Sequence, residues 1–340
     1  MDNESLGRLF GVSGEWVDIF VGTRTRHFAR DITCGTDVHS LTDLCVEAAD
    51  RALAAAGLEP SDIDFLVLST MTPDTLLPTT ATRVADRLGL NYVPAYQLHA
   101  GCSGPAQILE LAQSLIRSGR HAGLAIGGDV TSRCLDVRRN LAELPTEELV
   151  NYLLLGDGAG AAVLTAEPLG ERLAVRGVLH QFAGRGRPSG QVIDCCRYAA
   201  REREHAMSYE DHNAIEESVP SLSAEIMWDL LDSLGWNLHD VSFLLPPQLS
   251  GRMTERVMKH LDVTGVREVS CVTDTGNTGN ALAFLQARTT AARHAAWAAG
   301  PRYGRGEQQL DQGRSRPGAG LMEMRAPLAV SGYALSCRST

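Results

Sequence analysis

The amino-acid sequence predicts an α/β fold assembled from two halves of like topology, and three observations carry that prediction. Between about residues 40 and 165, helical periodicity alternates with short apolar runs bounded by Gly, Asp and Pro. Runs such as Phe65-Leu66-Val67-Leu68 have no polar alternation, as expected of strands covered on both faces. The chain then echoes itself: the stretch around Gly57-Leu58-Glu59-Pro60-Ser61-Asp62-Ile63 returns around Gly235-Trp236-Asn237-Leu238-His239-Asp240-Val241, each time after a helical pattern.

The elements follow in order. Residues 37–56 form an amphipathic pattern that stops at Gly57, a residue suited to the left-handed turn that ends a helix. The apolar run 65–68 is a strand, and residues 79–88 give a second helix. Tyr96-Gln97-Leu98-His99 enters a Gly-rich turn, and a helix follows over residues 106–118. Gly123-Leu124-Ala125-Ile126 is the next strand. Residues 156–160 read as a tight turn feeding Ala161-Ala162-Val163-Leu164. Short apolar strands separated by helices predict a parallel sheet. In the second half, Arg256-Val257 and Leu261 parallel Arg83-Val84 and Leu88, and Gly276-Asn277-Thr278-Gly279 parallels Gly101-Cys102-Ser103-Gly104. Cys102 and Asn277 therefore belong at pseudo-equivalent turns between strand and helix.

With 340 residues, 44% hydrophobic and 21% charged, the chain can bury a deep site, and no apolar stretch approaches the roughly 20 residues of a membrane span. The first residues show no basic segment followed by an apolar one, which predicts a cytoplasmic protein. A net charge of -10 excludes nucleic acid as the main partner. The eight cysteines lack paired metal-type spacings, and adjacent Cys195 and Cys196 do not suit one tetrahedral ion, so reduced thiols and no metal site are expected.

Cys102 is the candidate nucleophile. It stands at the start of a helix, where unpaired N–H groups and the helix dipole stabilise a thiolate. The flanking glycines admit close backbone approach, and Pro105 fits the first helical turn. Cys34, Cys45, Cys134, Cys195, Cys196, Cys271 and Cys337 have no such setting.

Several motifs in order resemble the ketoacyl-ACP synthase III branch of the thiolase superfamily. They are Gly14-Glu15-Trp16-Val17, Gly22-Thr23-Arg24-Thr25-Arg26, Thr72-Pro73-Asp74 with Leu77-Pro78-Thr79, Gly101-Cys102-Ser103-Gly104, Gly127-Gly128-Asp129-Val130, Gly156-Asp157-Gly158-Ala159-Gly160-Ala161 and Gly276-Asn277-Thr278-Gly279. The resemblance implies a thiolase-like duplicated αβαβα fold and a homodimer. It implies an acyl group carried as a thioester on Cys102, with Asn277 as the second catalytic residue. Leu77 would lie at the acyl pocket across the dimer interface, and Trp16, Arg24, Arg26 and Ser250 along the path of the donor's pantetheine. Phosphopantetheine enters as substrate, from an acyl carrier protein or CoA, and no cofactor is implied. On this resemblance residues 1–168 form the half with the nucleophile and residues 169–285 the second half.

The departures point to a reaction. Condensing relatives carry Pro-His-Gln-Ala-Asn where this chain has Pro246-Pro247-Gln248-Leu249-Ser250. Proline has no side-chain donor to hold the thioester carbonyl while malonyl decarboxylates, and losing one such donor typically costs about 100- to 1000-fold in rate. Acyl capture and transfer to a hydroxyl or amine need no enolate. The expectation is thus an acyltransferase similar to the ketoacyl-synthase-III-like enzymes of antibiotic tailoring, with a small-molecule acceptor. The alternatives are a decarboxylative condensing enzyme and a catalytically degenerate partner subunit. His99 is a weak candidate for the base, because strand alternation can turn it away from Cys102; His205 and His212 lie in a charged stretch. Phe20 stands where relatives that use CoA have arginine, which favours a carrier-protein donor arriving near Arg24 and Arg26.

Both ends depart from the family. The resemblance lacks a first strand and turn before Leu6, which is expected to reflect a late start codon or a truncation. Residues 286–340 form a doubtful tail rich in Ala, Arg and Gly, read either as disordered or as frameshifted. Codons for residues 307–314, displaced by one nucleotide, can encode Ser-Ser-Asn-Trp-Ile-Lys-Ala-Gly, which resembles how these acyltransferases end. The same displacement can meet a stop within the codons of Leu321 and Met322.

Overall fold

The computed structural model describes residues 1–136, 144–169, 172–182, 186, 190–193, 208–298, 323–324 and 333–338. Two short helices, α1 (Asn3–Phe10) and α2 (Gly14–Phe20), precede an antiparallel pair, β1 (Arg30–Asp31) with β2 (Thr36–Asp37). Helix α3 (Leu41–Ala56) starts later than its periodicity predicted, since Thr36 and Asp37 are taken by β2 and Ser40 caps the helix. The Ser40 Oγ accepts from the Asp43 N–H at 3.1 Å, and the Asp43 carboxylate accepts from the Ser40 N–H at 2.7 Å. Gly57 ends the helix at φ 69°.

Next come β3 (Phe65–Thr70), α4 (Thr80–Arg87, capped by Thr79), β4 (Ala95–His99), α5 (Gly104–Arg117), β5 (Ala122–Asp129), α6 (Thr146–Leu154) and β6 (Gly158–Thr165). The strands form one sheet in the order β4-β3-β5-β6. β3 pairs parallel with β4 and with β5, as predicted, but β6 joins antiparallel. The predicted tight turn at residues 156–160 is confined to Gly156 and Asp157, and Gly158 to Gly160 already belong to β6. Packing explains Gly160: a Cβ there would come within 2.6 Å of the Phe284 Cβ.

Leu66, Leu68, Leu124 and Ile126 point to one face of this sheet and pack with Cys45, Ala49 and Leu53 of α3 and with Val84 of α4. Phe65, Val67 and Ala125 point to the other, against Ala106, Ile108 and Ala112 of α5 and Phe284. The same apolar cluster takes in Phe243, Leu245 and Val269 from the second half, so α5 and the helix carrying Phe284 form a shared middle layer.

The second half comprises β7 (Arg172–Val178), β8 (Gln191–Ile193), β9 (Ser208–Glu210), α7 (His212–Leu234), β10 (Phe243–Leu244), α8 (Gly251–Leu261), β11 (Arg267–Glu268), α9 (Val272–Thr275), α10 (Leu282–Ala298), β12 (Glu323–Met324) and β13 (Tyr333–Arg338). Its outer layer is α7 and α8, where Met227, Leu230, Leu231, Met253 and Val257 cluster with Leu244. Helix, sheet, helix, sheet, helix is the order of the layers. The sequence echo is also an echo of geometry. Gly57 and Gly235 end their helices at φ 69° and 63°, and Glu59 with Asp62 and Asn237 with Asp240 form matching capping boxes around one 3-10 turn. β10 pairs parallel with β11 as β3 does with β4.

α10 runs through the boundary placed at residue 285, and β13 pairs antiparallel with β7. Residues 307–314 and 321–322, on which the frameshift expectation falls, lie outside the described residues, as do Cys195, Cys196 and His205.

Candidate active site

Cys102 lies in the turn between β4 and α5, exposed and in no disulfide. β4 hands the chain over through Ala100, whose N–H donates to the Thr70 carbonyl at 3.2 Å. The Gly104 N–H closes the turn on the Gly101 carbonyl at 2.8 Å. Ser103 holds the N-cap position with its Oγ turned to Gln107 Nε2 at 3.0 Å. Its oxygen therefore does not cap the helix, and nothing lies within 4 Å of where a Gly101 Cβ would be. Helix N–H groups and open space meet beside the thiol, the setting in which a helix start stabilises a thiolate and an oxyanion. Cys45 and Cys134 are buried, and burial pushes the Cys45 thiol up; the Cys271 thiol is likewise pushed up to about 11 by burial.

Asn277 sits at the equivalent turn of the second half, 6% exposed. Its N–H donates to the Leu154 carbonyl at 2.9 Å, its carbonyl accepts from Gly156 at 3.0 Å, and its Oδ1 accepts from the Gly279 N–H at 3.0 Å. That bond fixes which end of the side-chain amide is the oxygen, so the other end carries the N–H donors. Thr278, like Ser103, occupies an N-cap position near the right-handed helical region without a side-chain cap.

A residue that the sequence did not single out joins the two turns. Asn280 is fully buried; its Nδ2 donates to the Ala100 carbonyl at 3.0 Å and to Asp129 Oδ2 at 2.8 Å, and its N–H donates to the same Oδ2 at 2.8 Å. Asp129, at the end of β5, collects six donors: these two from Asn280, and the Thr70 hydroxyl, the Met71 N–H, and the Thr72 N–H and hydroxyl. Burial pushes its carboxyl up, and the hydrogen bonds pull the other way. Asp129 stands in the sequence as the only charge at the end of an apolar strand, and Asn280 as the only polar side chain in Gly279-Asn280-Ala281-Leu282, which was the available signal.

The residues expected along the donor path divide. Trp16 and Phe20 stack on α2 with ring centroids 5.0 Å apart, and Phe20 is 61% exposed. The end of α2 meets the start of α8, where Arg252 Nε donates to the Ile19 carbonyl at 2.6 Å, and Ser250 caps α8 by accepting from the Met253 N–H at 3.0 Å. The helix that carries Trp16 and the one that Ser250 caps are thus joined end to start. Arg24 is exposed and pairs with Asp274 at 2.8 Å. Arg26 does not belong there: it is fully buried, with its guanidinium donating to Asn3 Oδ1 and the Leu153 carbonyl. Burial pushes it down to about 10, so it is a buried cation near neutral pH and offers a docking carrier nothing. Leu77 is 82% exposed beside Leu76 at 72%. His99 is exposed at the end of the edge strand β4. Pro247 follows β10, its carbonyl accepting from Thr254 Oγ1 at 3.4 Å; Gln248 is pinned by Val269, Cys271 and Val272.

The 3-oxoacyl-[acyl-carrier-protein] synthase III family model matches residues 96–177, from β4 into β7. The β-ketoacyl-[acyl-carrier-protein] synthase III of Rhodospirillum centenum is 33% identical over 284 residues, covering 83% of this chain and 82% of its own. That of Neisseria meningitidis serogroup B is 29% identical over 285 residues, with 83% and 82% covered. Among solved structures, AbyA1, a tetronic acid condensing enzyme, is 40% identical with TM-score 0.83, covering 100% of this chain and 96% of its own. The FabH of Pseudomonas aeruginosa PAO1 is 28% identical with TM-score 0.68, covering 100% and 93%. With the cysteine turn, the asparagine turn and the duplicated layers in place, this chain belongs to the β-ketoacyl-[acyl-carrier-protein] synthase III family of acyl-transferring and condensing enzymes.

Proposed function

We propose that Cys102 takes an acyl group from a carrier-protein thioester and passes it to a hydroxyl or amine of a small-molecule acceptor, without decarboxylation. The Cys102 thiolate attacks the thioester carbonyl, and the C–S bond to pantetheine breaks, its sulfur taking up the proton. The acceptor oxygen or nitrogen then attacks the Cys102 thioester and its proton passes to the departing cysteine sulfur. N–H groups at the start of α5 and the Asn277 amide hold the acyl oxygen as it gains charge. The observation that carries this assignment is Pro247, which offers only a backbone carbonyl where an enolate would need a donor. The Trp16–Phe20 stack gives the pantetheine arm an apolar wall, and Phe20 supplies no charge for a CoA phosphate. A second protomer covers the exposed Leu76 and Leu77, as in the homodimer that the family resemblance implies.

A second reading is favoured by the likeness to AbyA1 at 40% identity. A tetronic acid is a lactone whose ring needs one ester C–O bond and one C–C bond. Where the acceptor carries its hydroxyl beside a thioester of its own, the 3-oxoacyl group transferred from Cys102 to that hydroxyl closes the ring: its acidic C2 attacks the acceptor's thioester carbonyl, the C–S bond to the carrier breaks, and the C2 proton passes to the departing sulfur, with no loss of carbon dioxide. Neither bond requires the missing histidine.

Intact-protein mass spectrometry after incubation with a panel of acyl carrier-protein thioesters, with Cys102→Ala beside it, tests the assignment. A mass gain lost in the variant, with no carbon dioxide from malonyl carrier protein, is the expected result. No gain in the folded native protein would overturn the nucleophile, and carbon dioxide release would overturn the non-decarboxylative step. Equal acylation by CoA thioesters would overturn the choice of donor.

A further inference from the structure

The two catalytic turns come from different halves of the chain, yet acyl transfer needs the sulfur of one and the amide of the other on the same carbonyl. Ala100 is the last residue of the incoming segment held by backbone pairing, and its carbonyl, two residues before Cys102, accepts from Asn280 Nδ2 at 3.0 Å. Asn280 lies three residues after Asn277, within a turn closed by the bond from Gly279 N–H to Asn277 Oδ1 and by the Ala281 N–H donating to the Thr278 carbonyl at 3.1 Å. Its two amide hydrogens are both spent, one on Ala100 and one on Asp129. Two glycines clear space for Asn280 and a third clears it for its partner Asp129. A Cβ on Gly104 would fall 2.0 Å from Asn280 Oδ1, one on Gly127 would fall 2.2 Å from the Asn280 carbonyl, and one on Gly279 would fall 2.3 Å from Asp129 Oδ2. A contact between backbone and side chain as close as this leaves the two turns no room to slide.

We infer that Asn280 is the positioning residue of this enzyme: it ties the Cys102 turn to the Asn277 turn through Ala100 and Asp129, and so sets the distance between nucleophile and amide donor. The inference rests on the assignment of Cys102 and Asn277 made above. Asn280 touches neither substrate nor sulfur, and its effect is on geometry alone. A misplacement of about 1 Å can cost on the order of 100-fold in rate.

Asn280→Ala removes the tie to Ala100 while leaving Asp129 with the backbone N–H of residue 280 and its donors from Thr70, Met71 and Thr72. Two rates are compared in the full chain: acylation of Cys102 by a carrier thioester, and alkylation of the same thiol by iodoacetamide. Alkylation needs the thiolate but no oxyanion donor. The expected result is acylation slowed by about 10- to 100-fold with alkylation within about 3-fold of native, the pattern also expected of Asn277→Ala. Asn280→Ser, whose single hydroxyl hydrogen can serve Asp129 or Ala100 but not both, takes the place of the alanine variant if that one does not fold, and the same split is expected. Equal loss of both rates, or native acylation in a folded variant, overturns the inference. If the native protein is not acylated at Cys102 while the thiol alkylates normally, the catalytic assignment itself falls, an outcome distinct from the variant behaving as native.

Discussion

A proline where a catalytic donor would stand changes which bonds an enzyme can break. On the function proposed above, Pro247 leaves decarboxylation without its oxyanion partner, whereas transfer through Cys102 would keep both the helix N–H groups and the Asn277 amide. Pro247→His therefore has a directional outcome: carbon dioxide release from malonyl carrier protein is expected to rise by about 10-fold or more over the native protein, short of the 100- to 1000-fold that a fitted donor supplies. Trapping of labelled carbon dioxide checks it, and an unchanged rate would mean that residue 247 does not face the acyl carbonyl. At this scale Cys102 was legible from sequence because turn, glycine, proline and helix start are local. Arg24 and Arg26 were not separable, because residues two apart in an extended segment fall on the same side, and local sequence treats them alike. Asn3 and the Leu153 carbonyl, far off in the chain, decide that Arg26 is the buried one.

Helices α3 and α4 show how an element's end is set by one side chain. Asp43 closes the capping box at Ser40 and also receives Arg87 of α4, so one carboxylate starts one helix and pins the next. Hydrogen bonds from Ser40, and after them from Arg87, hold its carboxyl well below the ordinary value of 3.8. A depressed carboxyl contributes stability that is complete above its unfolded value and fades as pH falls toward its folded one. The gap in denaturation midpoint between native protein and Asp43→Asn is thus expected to hold from pH 7 to about pH 5 and to narrow steadily below 3.8. A gap unchanged down to about pH 2 would assign the stability to neutral hydrogen bonding instead. Periodicity located α3 but not its start, since β2 claims Asp37 and Ser40 caps the helix at Leu41. Gly160 passed for a turn residue because glycine placed for close approach to Phe284 of α10 looks the same in sequence as glycine placed for a bend.

At the scale of the whole molecule the halves are joined where β5 ends and α10 begins. Gly279 has φ 56°, and a Cβ there would press on the Asp129 carboxylate at 2.3 Å. Gly279→Ala is expected to destabilise the protein by about 1–3 kcal/mol, from left-handed backbone and overpacking together. Urea denaturation checks it, and an unchanged midpoint would mean that the junction yields. The duplication was legible because each copy carries its own helix end and capping box, local signals that survive divergence. The junction was not, because Asp129 and Asn280 become partners only when two halves have folded against each other.

That junction also sets a clock for the newly made chain. Oδ1 of Asp129 finds Thr70, Met71 and Thr72 among residues already synthesised, but Oδ2 waits for Asn280, 151 residues later. At about 5–20 residues per second, that wait lasts about 8–30 s on the ribosome. The thiol of Cys102 leaves the exit tunnel well before the amide that would orient an acyl carbonyl on it. On the proposed assignment, a nascent chain therefore carries its nucleophile for some time before the amide donor that would serve it.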